Sequence, residues 1–112
     1  MEDSDDITKG PREDGRLNLS YSNWCMMPEE LFIKYKRSLM YLNLSHNHID
    51  EVPCEVANLT LLKEINLAHN CLQKIDRGMS KCIRLRKVDL SHNQLVNIPD
   101  EVISECKFLV SH

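Results

Sequence analysis

The chain has 112 residues, 42% of them hydrophobic and 28% charged, with a formal net charge of -3. That length suits one small folded domain and leaves too little for two. The charge excludes a general attraction to nucleic acid or anionic lipid, both of which need clustered positive charge, and no apolar run approaches the ~20 residues of a membrane-spanning helix.

The N-terminus, Met1-Glu2-Asp3-Ser4-Asp5-Asp6, is acidic where a secretory signal is basic and then apolar, so the expectation is a cytoplasmic chain, with the nucleus also open. Residues 1–13 hold five acids, one proline, one glycine and only Ile7 as a bulky aliphatic. That is the composition of a disordered acidic tail. From residue 14 an apolar pattern begins with Leu17, Leu19, Trp24, Met27-Pro28 and Leu31, and Ser22 stands at a position that later becomes asparagine. Proline followed by Glu29 and Glu30 is a helix-start signature, and it predicts a short helix from Pro28 to Arg37.

The pattern then repeats in a strict frame. Leu39, Leu42, Leu44, Asn47, Ile49 and Val52-Pro53 are followed by Leu62, Ile65, Leu67, Asn70, Leu72 and Ile75, then by Leu85, Val88, Leu90, Asn93, Leu95 and Ile98-Pro99. The step is 23 residues from Leu39 to Leu62 and again from Leu62 to Leu85. Asp76 takes the place of the proline in the third repeat. The repeats are read as residues 14–38, 39–61, 62–84 and 85–108, a leucine-rich-repeat domain over 14–112 ending in an unfinished edge at 109–112. A fifth copy would begin at Phe108 or Leu109 and has no room to form before His112.

These residues resemble the leucine-rich-repeat family over roughly 14–108, and the proline after the fifth apolar position is similar to the 23-residue intracellular class of Ras-pathway and polarity scaffolds. The fold expected is an α/β solenoid of about four coils. A short parallel sheet would lie on the concave face and helical or 3₁₀ turns on the convex face. Alternation within Leu42-x-Leu44 sends both leucines inward and predicts strands near 16–20, 40–44, 63–67 and 86–90. Asn47, Asn70 and Asn93 are suited to bond the turn after each strand and to form a buried ladder between coils. Trp24 occupies the slot of Ile49, Leu72 and Leu95 and is read as core.

The residues beside the strand leucines form four outward rows. Arg16, Tyr41, Glu64 and Lys87 make the first, Asn18, Asn43, Asn66 and Asp89 the second, Ser20, Ser45, Ala68 and Ser91 the third, and Tyr21, His46, His69 and His92 the last. Of these, Arg16, Tyr21, Tyr41, Asn43, His46, Glu64, Asn66, His69, Lys87, Asp89 and His92 are the expected partner-binding residues, with tyrosines and cations as anchors. The expected function is an adaptor or scaffold that binds another protein on its concave face, as the resemblance implies. The alternative is a regulatory subunit of a phosphatase or small-GTPase pathway.

No metal, cofactor, nucleic-acid or membrane partner is expected. Histidines in a straight line do not converge on one ion. The five cysteines, Cys25, Cys54, Cys71, Cys82 and Cys106, contain no Cys-x-x-Cys pair and read as reduced thiols. A thiol enzyme using Cys71 with His69 or His48 lacks an orienting third group and a deep pocket, so no catalysis is expected. The sequons at Asn18, Asn43 and Asn58 are read as accidental. Cys106, Phe108 and Leu109 would leave an uncapped apolar end. It points to a longer natural protein, a truncated product, or packing of the last coil on a partner or on another copy.

Overall fold

The computed structural model describes residues 4–105 and 109–111, with side chains through Val102. Leucine, isoleucine and valine alternate with polar residues for too few positions to make any strand stable alone, so each short strand pairs with its equivalent one repeat along. In chain order the described strands are β1 (Arg16–Asn18), β2 (Tyr41–Asn43), β3 (Glu51–Val52), β4 (Glu64–Asn66), β5 (Lys74–Ile75), β6 (Lys87–Asp89) and β7 (Leu109–Ser111). A parallel sheet takes the order β1-β2-β4-β6-β7, and β3 pairs with β5 in a second sheet. Leu17, Leu42, Ile65 and Val88 stand level across the main sheet and point into the core. The strands are shorter than predicted, yet the ladder runs on beyond them, with Leu19, Leu44 and Leu67 donating to Asn43, Asn66 and Asp89 of the next coil.

After each strand the backbone must turn sharply. Tyr21, His46, His69 and His92 adopt left-handed φ values of 53°, 56°, 57° and 57°, a conformation that costs a non-glycine residue about 1 kcal/mol. Asparagine bonding just beyond offsets that cost. The amino group of Asn47 donates to Leu19 and Leu44 carbonyls at 2.9 and 3.0 Å, while its carbonyl accepts the Ser22 and Trp24 amides at 3.0 Å. Asn70 donates to Leu44 and Leu67 at 2.9 and 3.1 Å and accepts from Ile49 at 3.0 Å. Asn93 repeats the arrangement on Leu67, Leu90 and Leu72. Each carboxamide therefore bonds its own coil and the one before it, which is the ladder the sequence predicts.

The return paths differ with their sequences. Coils two and three close with 3₁₀ turns, Cys54–Asn58 and Arg77–Lys81. In the third coil Asp76 does what proline cannot: its amide donates to Val52 at 2.9 Å, supporting the β3–β5 pair, while its carboxylate caps the Gly78 amide at 2.8 Å. Pro99 has no amide to donate in the fourth coil, and among the described residues no strand follows β5 in that sheet. The first return corrects the predicted helix from Pro28 to Arg37: α1 is a single turn, Glu30–Ile33. The Tyr35 carbonyl accepts the Ser38 and Leu39 amides at 3.0 and 2.9 Å, which bends the chain so that Leu39 re-enters the core. The fourth return is longer, with α2 over Asp100–Glu105. Trp24 is half-buried against the core, and its Nε1 has no hydrogen-bond partner among the described residues.

Two further expectations are corrected. Residues 4–13 are ordered against the first coil instead of forming a free tail. Asp5 pairs with the edge of β1, its amide donating to Asn18 at 2.6 Å and its carboxylate accepting the Asn18 amide at 2.8 Å. Ile7–Lys9 make a 3₁₀ turn whose Ile7 carbonyl accepts the Tyr35 hydroxyl at 2.6 Å. Gly10, at φ 73°, lies so close that a Cβ would stand 2.5 Å from the Tyr35 ring. Composition hid this because an edge strand rewards polar backbone pairing as much as apolar burial. At the other end, Leu109–Ser111 form a fifth strand in register with Lys87–Asp89. Residues 1–3, 106–108 and 112 lie outside the described residues, and with them the expected apolar end at Cys106 and Phe108.

Replacing Asn70 by alanine orphans the Ile49 amide and at least two carbonyls, so urea unfolding should show a loss of roughly 2–4 kcal/mol; a loss under half a kcal/mol would mean the ladder is dispensable. Tyr35→Phe, by contrast, removes one bond and should destabilise by about 0.5–1.5 kcal/mol. It should also speed hydrogen exchange at the Gly10 amide.

Candidate functional site

The outward side chains of β1, β2, β4 and β6 line a hollow of about 590 Å³ on the open sheet face. It brings together seven of the expected residues, Arg16, Tyr41, Asn43, Glu64, Asn66, Lys87 and Asp89. On its wall the Arg16 guanidinium lies over the Tyr41 ring, 4.3 Å from the centroid. From the other side Arg86 stands 3.5 Å from both the Tyr41 hydroxyl and the Glu64 carboxylate. Arg12 also lines the hollow and is bound to Asp5 at 2.9 Å. Sequence reading missed both arginines. Arg12 falls in the segment read as unstructured, while Arg86 shares its repeat position with Lys63, a recurrence that was the available signal and went unused.

The second row has a structural duty. The side-chain oxygens of Asn18, Asn43, Asn66 and Asp89 accept the amides of Ser20, Ser45, Ala68 and Ser91, each at 3.0 Å. Three of them also accept a serine hydroxyl, at 2.6 to 2.7 Å. Burial pushes the Asp89 carboxyl up, but the Ser91 hydroxyl and amide, with Lys87 and His69, outweigh it and hold it below the ordinary carboxylate value. The third row is corrected: Ser20, Ser45 and Ala68 are buried and do not form open surface.

Tyr21, His46, His69 and His92 stand outside the hollow as a rim. Their rings stack face to face in sequence, with centroids 4.3, 4.3 and 4.1 Å apart and planes within 7°, 10° and 11°. The shared left-handed backbone puts them in line. Desolvation, followed by the charges of His92 and His46, holds the His69 imidazole below its ordinary value of 6.5, against the pull of Asp89. Stacked rings do not aim their nitrogens at a common point, and no group of three or more metal-ligating side chains occurs among the described residues.

Cys71 is half-buried, and among the described residues its thiol makes no hydrogen bond to His69 or His48. Cys25, Cys54 and Cys71 are free thiols. Among the described residues no helix is long and apolar enough to cross a membrane.

A leucine-rich-repeat family model matches residues 37–95, and a second matches residues 84–109. This chain belongs to the leucine-rich-repeat family. The family typically mediates contacts between proteins and is generally not enzymatic. Among solved structures it resembles a leucine-rich-repeat protein of Leptospira interrogans, at a TM-score of 0.70 and 22% identity over 86% of this chain and 31% of that one. It also resembles an internalin from Listeria monocytogenes, at a TM-score of 0.55 and 15% identity over 87% of this chain and 34% of that one. At these identities the likeness is one of fold, and the chain spans about a third of either protein's length. No curated protein matches it.

The rim makes stability depend on pH. The folded state disfavours the charged form of His69, so the unfolded chain takes up the proton more readily. The stability held above the ordinary histidine value of 6.5 is then lost as the pH falls through it. Urea midpoints should rise between about pH 5 and pH 8, and His69→Phe, which keeps the ring, should flatten that rise. An unchanged slope in the variant would place the dependence elsewhere.

Proposed function

We propose that the leucine-rich-repeat domain is an adaptor or scaffold module that takes a partner protein on its open sheet face. One observation carries this reading: Tyr41 lines the hollow with the Arg16 guanidinium over its ring and Arg86 3.5 Å from its hydroxyl. Binding energy concentrates in tyrosine, tryptophan and arginine held rigid at the centre of an interface. A tyrosine braced by two arginines gives up little rotamer freedom when a partner covers it. Lys87 extends the cationic edge, and the rim from Tyr21 to His92 bounds the face on its far side. The free thiols of Cys25, Cys54 and Cys71 favour a reducing compartment, so the module works in the cytoplasm on this reading.

The test is affinity capture from the native cell, with wild type beside the Tyr41→Ala, Lys87→Ala double variant. Neither residue is among the buried core, so the variant should melt with the wild type. It should retain its partner about tenfold less well, as expected for loss of an anchor. Equal capture would move the binding surface to the convex side.

A further inference from the structure

Hydrogen bonding between coils thins out beyond the asparagine ladder. Coil three is laced to coil two there, with the Cys71, Gln73 and Asp76 amides donating to the Ile49, Asp50 and Val52 carbonyls at 2.9, 2.8 and 2.9 Å. Coil four repeats only the first of these bonds, Gln94 to Leu72 at 3.0 Å. Pro99 stands at the repeat position of Asp76 and has no amide to give. Among the described residues the Gln73 and Ile75 carbonyls therefore accept no backbone amide from coil four. Both residues line a second hollow, of about 720 Å³.

This hollow combines apolar surface with negative charge. Val52 and Ile75 belong to the core and reach its wall, together with Pro53 and Pro99. Val96 also lines it and is 89% exposed, the most open of the large hydrophobic side chains described. Glu51, Glu55, Asp76 and Glu101 line it against Lys74 and Arg77. None of these six makes an ion pair among the described residues, so four carboxylates against two cations leave an uncompensated negative excess. Asp76 caps the Gly78 amide and Glu55 accepts the Cys54 thiol at 3.4 Å, contacts that neutralise neither carboxylate. Cys54 registers that excess: the hydrogen bond to Glu55, the charge of Glu55, desolvation and then the charge of Asp76 push its thiol above the ordinary value.

Carbonyl acceptors, carboxylates without a cation partner and apolar walls together suit a cation carried on an aliphatic stem. We infer that this hollow docks a basic segment of a partner protein, one in which arginines alternate with aliphatic residues. Its guanidinium groups donate to the carboxylates and to the free carbonyls, and its aliphatic side chains cover Val96 and the prolines. Arginine suits the hollow better than lysine because its planar fork reaches a carbonyl and a carboxylate together. An anionic polymer is opposed by the same charge excess, and a simple polyamine has no side chain to cover Val96. The hollow shares no lining residue with the open sheet face, so the inference stands apart from the role of Tyr41.

The probe is a fluorescein-labelled peptide of about ten residues alternating arginine and valine, read by fluorescence anisotropy. Beside it run two peptides with glutamine or glutamate in place of every arginine. The arginine peptide should bind, and the other two at least about tenfold more weakly. Glu55→Gln with Glu101→Gln removes two charges at exposed positions, so this variant should melt as the wild type does. It should bind the arginine peptide about tenfold or more weakly. Glu13→Gln with Glu29→Gln removes the same two charges away from the hollow and should leave binding within about twofold. Val96→Ser should weaken binding about threefold or more through lost apolar contact. The Tyr41→Ala, Lys87→Ala variant should bind the probe as the wild type does. The inference is overturned by no binding to wild type, by equal binding of the glutamine or glutamate peptide, or by undiminished binding in the Glu55, Glu101 variant or in Val96→Ser. It is equally overturned if the Glu13, Glu29 variant loses as much as the Glu55, Glu101 one, since bulk charge is then responsible, or if the Tyr41, Lys87 variant does, since the probe then sits on the open face.

Discussion

The structure depends on one interaction repeated three times: an asparagine carboxamide shared between two coils. A coil of this length turns too tightly to satisfy its own backbone groups, and water cannot reach them once the next coil stacks on top. Asn47, Asn70 and Asn93 each place two donors and one acceptor at the point where those groups converge. A leucine there would leave several buried groups orphaned, each at a cost of about 1–3 kcal/mol. The apolar positions drive the coils together, but the asparagines decide at what spacing and in what register they stop.

That register then builds the surface. Because the coils stack level, Arg16, Tyr41, Glu64 and Lys87 fall into a line, and so do the aromatic rings of the rim. The asparagines of the open face are the same chemical group as those of the ladder in a different setting. Within the ladder all the hydrogen-bonding capacity is consumed inside the fold. On the open face the oxygen is consumed and the amino group is left over. The fold thereby creates a directional surface from a residue that is otherwise ambiguous about which end it presents.

The inward pattern was legible in the sequence because burial is periodic and period is what a sequence displays. The leucines, the ladder asparagines and the strand centres stand where the repeat puts them. Local bonding that does not follow the period was harder to read. Residues 4–13 fold back through Asp5, Gly10 and the Tyr35 hydroxyl, none of which carries an apolar signal. Ser45 looked like open polar surface and is buried, its hydroxyl satisfied by the Asn43 side chain and not by solvent. The histidine row was visible as a recurrence whose members should stack, but the left-handed backbone that lines the rings up is not revealed by composition.

The division of labour between the two asparagine rows can be measured directly by hydrogen exchange at their side-chain amino groups, resolved by nuclear magnetic resonance. Asn47 and Asn70 should exchange only through opening of the fold, and therefore slowly and in step with global stability. Asn43 and Asn66 should exchange freely with solvent in the folded state. Comparable protection in both rows, or free exchange at Asn47 and Asn70, would contradict the account.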